Sequence, residues 1–353
     1  MKQFFKKVCF LICFCMVLLT SSIFVNDVHA EDQTIYQAVP VNVNNSYSGR
    51  LTGEGIDYYK FVLGESGKVT FTVSMDTSYG NLMLYNHEYE KLYERDINHD
   101  SNRGCLYRKE EWYLKAGTYY MRFKGREGSY SFTLQFESAG ESFPESQTHP
   151  NDILSQAVNI NVGTKYAGLI GLDDEQDFYM FHMPFSGQLS LSNYSYGGNR
   201  LEFDILDIEG NRLKSFFDYF DSNKGYAHAA GSYSLKTGDY YLKVCPWEGK
   251  GAIYNFKMNV KPNVCQISRT TRNKSKATVK IEKQQEVTGY ILQYSTSSEF
   301  MKGQTKTKKS KSPNIKLTGL KKTKVYYVRA KTVKQWNGKI YYSEYGDYST
   351  MYY

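Results

Sequence analysis

The sequence predicts an all-β chain of three consecutive β-sandwich domains behind an N-terminal signal peptide. Three observations predict it: apolar residues recur at every second position, a stretch of roughly 110 residues occurs twice, and the charge changes sign near residue 261. Period-two alternation buries one face of a strand and wets the other. Val69, Phe71 and Val73 alternate with Thr70, Thr72 and Ser74. Tyr130, Phe132, Leu134 and Phe136 repeat the pattern, as do Tyr240, Leu242 and Val244. Tyrosine is abundant, at 33 residues, which favours strands. Glycine and polar clusters interrupt the runs about every 8–12 residues, the rhythm of sandwich turns.

The chain begins with Lys2, Lys6 and Lys7, followed by an unbroken apolar run from Val8 to Leu19. Val28 and Ala30 supply the residues a signal peptidase accepts before its cut, so residues 1–30 read as a secretory signal peptide. Apolar residues continue to Val25, which leaves an uncleaved anchor as the other reading. Cys13 and Cys15 follow Ile12 and Phe14, where lipid attachment needs a small residue, so a lipoprotein is not expected. No later segment is long and apolar enough to span a bilayer, so no transmembrane segment is expected after cleavage. The expected location is extracellular, with retention at the bacterial cell surface as an option. Cys105, Cys245 and Cys265 remain, an odd number at irregular spacing, which is neither a disulfide framework nor a metal cluster. Whether Cys245 and Cys265 pair is left open.

The duplication is explicit. Residues 37–49 read QAVPVNVNNSYSG and residues 156–168 read QAVNINVGTKYAG, with seven of thirteen positions identical. Asp57-Tyr58-Tyr59-Lys60-Phe61 mirrors Asp177-Phe178-Tyr179-Met180-Phe181, and Gly67 matches Gly187. Leu114-Lys115-Ala116-Gly117 with Tyr119-Tyr120 matches Leu235-Lys236-Thr237-Gly238 with Tyr240-Tyr241. Two large copies are not a solenoid. The expected domains are residues 31–137 and 150–260, joined by a polar linker at 138–149, and then 261–353.

The run Pro150-Asn151-Asp152, Gln156-Ala157, Asp174 to Asp177, Phe178 to Phe181 and Leu235 to Tyr241 resembles the bacterial pre-peptidase C-terminal domain family. It is similar also to the collagen-binding domains of clostridial collagenases. The resemblance covers both copies and implies jelly-roll sandwiches that accompany secreted enzymes, some of which bind calcium, collagen or polysaccharide. Residues 264–353 resemble a fibronectin type III domain of Gram-positive surface proteins. Val287 to Ser295, Leu317-Thr318-Gly319-Leu320 and Tyr326 to Ala330 carry that resemblance. Tyr290, Leu292 and Tyr294 form one buried strand face, and Tyr326, Val328 and Ala330 another. Tyr326 sits where such sandwiches place a corner tyrosine whose hydroxyl ties back upstream. Asn337-Gly338 predicts a two-residue hairpin. The family's early tryptophan is absent, and Val279 or Ile281 fills its place.

No catalytic activity is expected. His87-Glu88-Tyr89-Glu90-Lys91 lacks the second histidine of a zinc-protease helix and aligns with the turn Asp207 to Asn211 of the other copy. Neither a Gly-x-Ser-x-Gly elbow nor a phosphate-binding glycine loop occurs. Calcium is the one cofactor suggested, as a structural ion, because it takes six to eight oxygens gathered on loops. The family resemblance implies Asn151, Asp152, Asp174 and Asp177 as its ligands in the second copy. Gln147 and His149 stand where the relatives carry glutamates, and the first copy keeps Asp32, Glu54 and Asp57 but has Gln33 in place of Asp152. Solvated turn carboxylates are the plainer reading of these residues.

Aromatic residues beside turns suit sugar rings or fibrous proteins. The candidates are Tyr120 and Tyr241, outward if Tyr119 and Tyr240 face inward, with Trp247 and Trp336 at turns. Residues 31–260 carry 21 Lys and Arg against 30 Asp and Glu, a net of −9, whereas residues 261–353 carry 20 against 5, a net of +15. A charge that lopsided marks modules with different partners. Lys306, Lys308, Lys309, Lys311, Lys321, Lys322 and Lys324 are the candidate polyanion contacts, with an anionic cell-wall polymer as partner. The export signal argues against nucleic acid. Together these features predict a non-catalytic adhesion protein for extracellular polysaccharide or matrix protein. The competing reading is a structural or accessory subunit of a cell-envelope or secreted-hydrolase assembly that binds only protein partners.

Overall fold

The computed structural model describes residues 25–27, 34–143, 150–197, 200–247 and 251–353. Among these the chain is all-β, with two three-residue 3₁₀ turns at Ile35–Gln37 and Leu154–Gln156. No helix of the described residues is long and apolar enough to cross a membrane. The expected signal peptide lies outside the described residues except for Val25–Asp27, whose backbone runs parallel to Ser46, Tyr47 and Ser48. The described residues form two compact units: one up to Trp112 with Ala116–Ser138, the other Tyr113–Lys115 with Ala139–Tyr353.

In the first unit, Asn45–Leu63 and Gly117–Ser138 pair antiparallel along nearly their full length, with one register shift between Leu51 and Glu54. The later half of Gly117–Ser138 also pairs with Gly67–Asp76, and its earlier half with Gly80–Tyr85. Two long strands thus pass through both layers, and eight strands count as one hydrogen-bonded sheet. The crossing point needs glycine, because a Cβ on Gly128 would strike the Asp76 carbonyl. Val69, Phe71, Val73, Phe132 and Leu134 are buried, as period two requires. Phe71 stacks on Trp112 at 5.0 Å in the core.

In the second unit, residues 158–262 form two five-stranded sheets. One has the order Lys165–Ile170, Ala252–Pro262, Gly187–Tyr196, Tyr226–Leu235 and Tyr219–Asp221. The other has the order Arg212–Phe217, Leu201–Leu206, Gly238–Pro246, Asp177–Met183 and Val158–Ile160. The duplication explains a shared plan. Tyr47 Oη accepts from Asn42 N, and Tyr166 Oη accepts from Asn161 N. Asn86 Oδ1 accepts from Glu88 N and Glu90 N, and Asp207 Oδ1 accepts from Glu209 N and Asn211 N. The segment from His87 is therefore a hairpin turn in each copy.

Residues 267–351 add a three-stranded sheet, Ile267–Asn273, Lys276–Ile281 and Asn314–Leu317, facing a five-stranded one. The latter runs Thr305–Ser310, Gly289–Ser295, Tyr326–Trp336 and Lys339–Tyr342, with Ser349–Met351 also on Tyr326–Trp336. Val279 and Ile281 are both buried in the core between these sheets. Asn337 and Gly338 take φ of 44° and 74°, the doubly left-handed turn that Asn-Gly predicts. Lys321 N donates to Tyr326 Oη, which makes Tyr326 the corner tyrosine. Cys105, Cys245 and Cys265 are free thiols, so Cys245 and Cys265 do not pair.

Candidate functional site

Three surfaces carry chemistry, and each can be built from local sequence. The first is acidic. Asp152, Asp174 and Asp177 each offer a carboxylate oxygen within 4.8 Å of the others. Two oxygens on opposite sides of an ion bound at about 2.4 Å lie that far apart, so the donor set fits a hard cation. Asn151 is buried beside them, and its carbonyl accepts from Phe178 N. The Lys115 ammonium already serves these acids, at 3.3 Å from Asp152 Oδ1 and 3.5 Å from Asp174 Oδ2. A divalent ion would have to displace it. Sequence reading missed Lys115, because its partners lie far along the chain. Asp32 and Gln33 of the first copy fall outside the described residues, as do Gln147 and His149, and Glu54 is exposed.

Asp177 has a second duty. Tyr254 donates to Asp177 Oδ2, and the Tyr179 and Tyr254 hydroxyls lie 2.7 Å apart. Tyr254 stands on one sheet and Asp177 and Tyr179 on the other, so the bonds tie the two layers. Burial, then the neighbouring Asp177, pushes the Tyr254 hydroxyl well above its usual range and keeps it a donor. The first copy repeats this arrangement. Tyr130 donates to Asp57 Oδ2, and the Tyr59 and Tyr130 hydroxyls lie 2.5 Å apart. Gly168 and Gly49 leave room for these rings, since a Cβ would come within about 2.5 Å of Tyr254 or Tyr130.

The second surface is aromatic. Leu189 and Leu191 point into the core, so strand parity turns Tyr194 and Tyr196 outward. Across the sheet Tyr194 pairs with His228, which pairs with Tyr219, placing all three on one face. Tyr226 lies between the rows, 5.2 Å from Tyr194 and 6.1 Å from Tyr196. Tyr194, Tyr196 and Tyr219 are exposed by 41%, 46% and 63% on that face. The inward residues of the same strand set this row in place. Asp218 is fully buried and accepts from Ser195 Oγ, Asn193 Nδ2 and Leu201 N. Its desolvation outweighs those bonds and raises its pKa above the ordinary aspartate value. Tyr219, the next residue, is thereby held with the Arg200 guanidinium 4.8 Å above its ring.

Of the aromatics expected to face a ligand, Trp247 is exposed and packs edge-on against Phe217 at 5.0 Å. Tyr241 is half-buried. Tyr120 corrects the parity reading: Tyr119 does face inward, yet Tyr120 is also buried, because Tyr89 from the hairpin turn covers its ring at 5.1 Å. Trp336 is half-buried and packs against the core of residues 160–260 rather than standing free. None of the aromatics in the tyrosine row was singled out from the sequence, although the alternation of Leu189 to Tyr196 already contained the signal.

The third surface is basic. All seven lysines expected there are exposed. They do not act as one patch. Lys308 donates to Lys316 O. Lys306, Lys321 and Lys324 line one cleft, whereas Lys309 and Lys311 line another.

Two solved structures show what the chain is similar to. The pre-peptidase C-terminal domain of a collagenase from Bacillus anthracis is 23% identical, over 29% of this chain and 94% of that one, with a TM-score of 0.24. A segment of two fibronectin type III domains from chicken tenascin is 16% identical, over 51% of this chain and 100% of that one, with a TM-score of 0.26. No protein-family model matches the chain, and neither does any curated protein.

Proposed function

We propose that the chain is a secreted, non-catalytic binding protein that holds an extracellular polysaccharide on the tyrosine row of residues 194–228 and an anionic polymer on its basic C-terminal module. The observation that carries this reading is the outward row of Tyr194, Tyr196, Tyr219 and Tyr226 on one sheet face, braced from beneath by Asp218. Tyrosine offers area at little entropic cost and a polar rim, which suits sugar rings stacked along a chain. The basic N-terminal start and apolar run support export, and the net of +15 on residues 261–353 supports an electrostatic hold on an anionic envelope. A structural calcium ion is part of this proposal, held by Asp152, Asp174 and Asp177 after Lys115 withdraws.

The test is retention of the full chain on insoluble polysaccharides and on fibrillar protein, before and after Tyr194→Ala with Tyr219→Ala. Losing two stacking residues should weaken polysaccharide binding by about tenfold or more, with the unfolding midpoint unchanged. Undiminished retention of the double variant would remove the row as the binding surface. Retention on the fibrillar protein alone would make that the ligand class.

A further inference from the structure

The seven candidate lysines of the basic module fall in two blocks of sequence, 306–311 and 321–324, and the fold brings Lys306 of the first to the cleft of Lys321 and Lys324 of the second. Lys306 stands on the strand Thr305–Ser310, directly across from Tyr294. Lys321 and Lys324 stand on the turn before Tyr326. All three line a single cleft of about 390 Å³ whose wall includes Tyr294, Tyr326 and Thr296. None of the three makes an ion pair among the described residues. No carboxylate lines the cleft either. Three like charges bordering one cleft without a counter-charge repel one another, and an anion in the cleft relieves that repulsion.

The turn carrying two of them is fixed before any ligand arrives. Arg272 reaches it with both terminal nitrogens, donating at 2.7 Å to Lys321 O and at 2.7 Å to Lys324 O. Lys324 N closes the turn on Lys321 O, and Lys321 N is tied to Tyr326 Oη. The Arg272 guanidinium also lies 5.4 Å above the Tyr326 ring. A turn held at four points loses little freedom on binding, so its charges are worth more to a ligand than those of a loose loop. The rings of Tyr294 and Tyr326, 6.3 Å apart, supply an apolar side to the same cleft.

We propose that this cleft binds a tetrahedral oxyanion, phosphate or sulfate, carried on a polyhydroxylated chain. The three ammonium groups surround the oxyanion, and the remaining volume with its two tyrosine rings takes the adjoining polyol or sugar unit. The proposal rests on the basic-module part of the function above and adds a defined subsite to what would otherwise be a diffuse field.

The experiment compares two charge-matched triple variants of the full chain: Lys306→Gln, Lys321→Gln, Lys324→Gln in the cleft, and Lys309→Gln, Lys311→Gln, Lys322→Gln outside it. The probes are poly(glycerol phosphate), dextran sulfate, polyglutamate and inorganic phosphate. The cleft variant should lose about tenfold more affinity than its control for the phosphate polymer, the sulfate polymer or both, and the polymer that responds identifies the oxyanion. Inorganic phosphate should compete with the wild type at the cleft. Equal losses in the two variants would overturn the subsite while leaving the electrostatic reading intact. Polyglutamate that depends on the cleft as strongly as the other polymers would overturn its preference for a tetrahedral group. Failure of the wild type to hold any polymer at low salt would sink the basic-module reading itself.

Discussion

Replacing Tyr254 with Phe removes one hydroxyl that serves both sheets of its sandwich. The ring stays, so packing against Phe203 and Phe256 is kept and the change isolates the polar contacts. The lost hydroxyl donates to Asp177 and meets Tyr179, and all three residues are buried. A hydrogen bond to a charged group contributes about 1.5–3 kcal/mol, and a neutral one about 1 kcal/mol. The expected loss is therefore about 3 kcal/mol, most of it from leaving the Asp177 carboxylate short of a donor in a dry place. With a urea slope of about 1–3 kcal/mol per molar, the midpoint should fall by about 1–3 M. Tyr130→Phe repeats the perturbation in the first unit, where Asp57 and Tyr59 stand in the same relation. Urea titrations of the full chain, followed by tryptophan fluorescence, can separate the two. Trp112 reports on the first unit, and Trp247 and Trp336 on the second. Each substitution should move its own transition and leave the other in place. Losses below about 0.5 kcal/mol in both variants would mean that the carboxylate finds another donor and that the tyrosine pair does not tie the sheets. A single transition moved by either substitution would refute independent units.

Two further outcomes follow from buried charge. Calcium should stabilise the second unit by about 2.7 kcal/mol at a hundredfold excess over its dissociation constant, and so raise its unfolding midpoint. Lys115→Gln should lower stability in chelator and enlarge the calcium response, since the ion no longer displaces an ammonium; a Lys115→Gln protein indifferent to millimolar calcium would end the calcium reading. Asp218 has its proton affinity raised on folding, so its contribution is fully present below the unfolded value of about 3.9 and fades as pH rises through the folded one. Asp218→Asn cannot titrate, so its stability relative to the wild type should improve from about pH 4 toward neutrality; urea midpoints across that range that stay parallel, or diverge the other way, would show that burial does not dominate at Asp218.

The sequence by itself determined the all-β class, the duplication, and the inward face of most strands, because period two is a local property that each strand carries alone. Val69 to Val73 and Tyr326 to Ala330 lie as their alternation requires. The Asn337-Gly338 hairpin was equally legible, since its left-handed backbone depends on those two residues. Alternation names a face without saying what covers it. Tyr120 is buried because a turn some thirty residues upstream brings Tyr89 over it, and Trp336 because a neighbouring core receives it. The tyrosine row needed two registers, Tyr194 to His228 and His228 to Tyr219, that no single strand encodes. Lys115 meets Asp152 and Asp174, and Lys306 meets the 321–324 turn, only after distant strands are stacked. Tertiary structure alone decided these pairings, because charges several strands apart in sequence acquire a common site only when sheet order and layer packing bring them within reach.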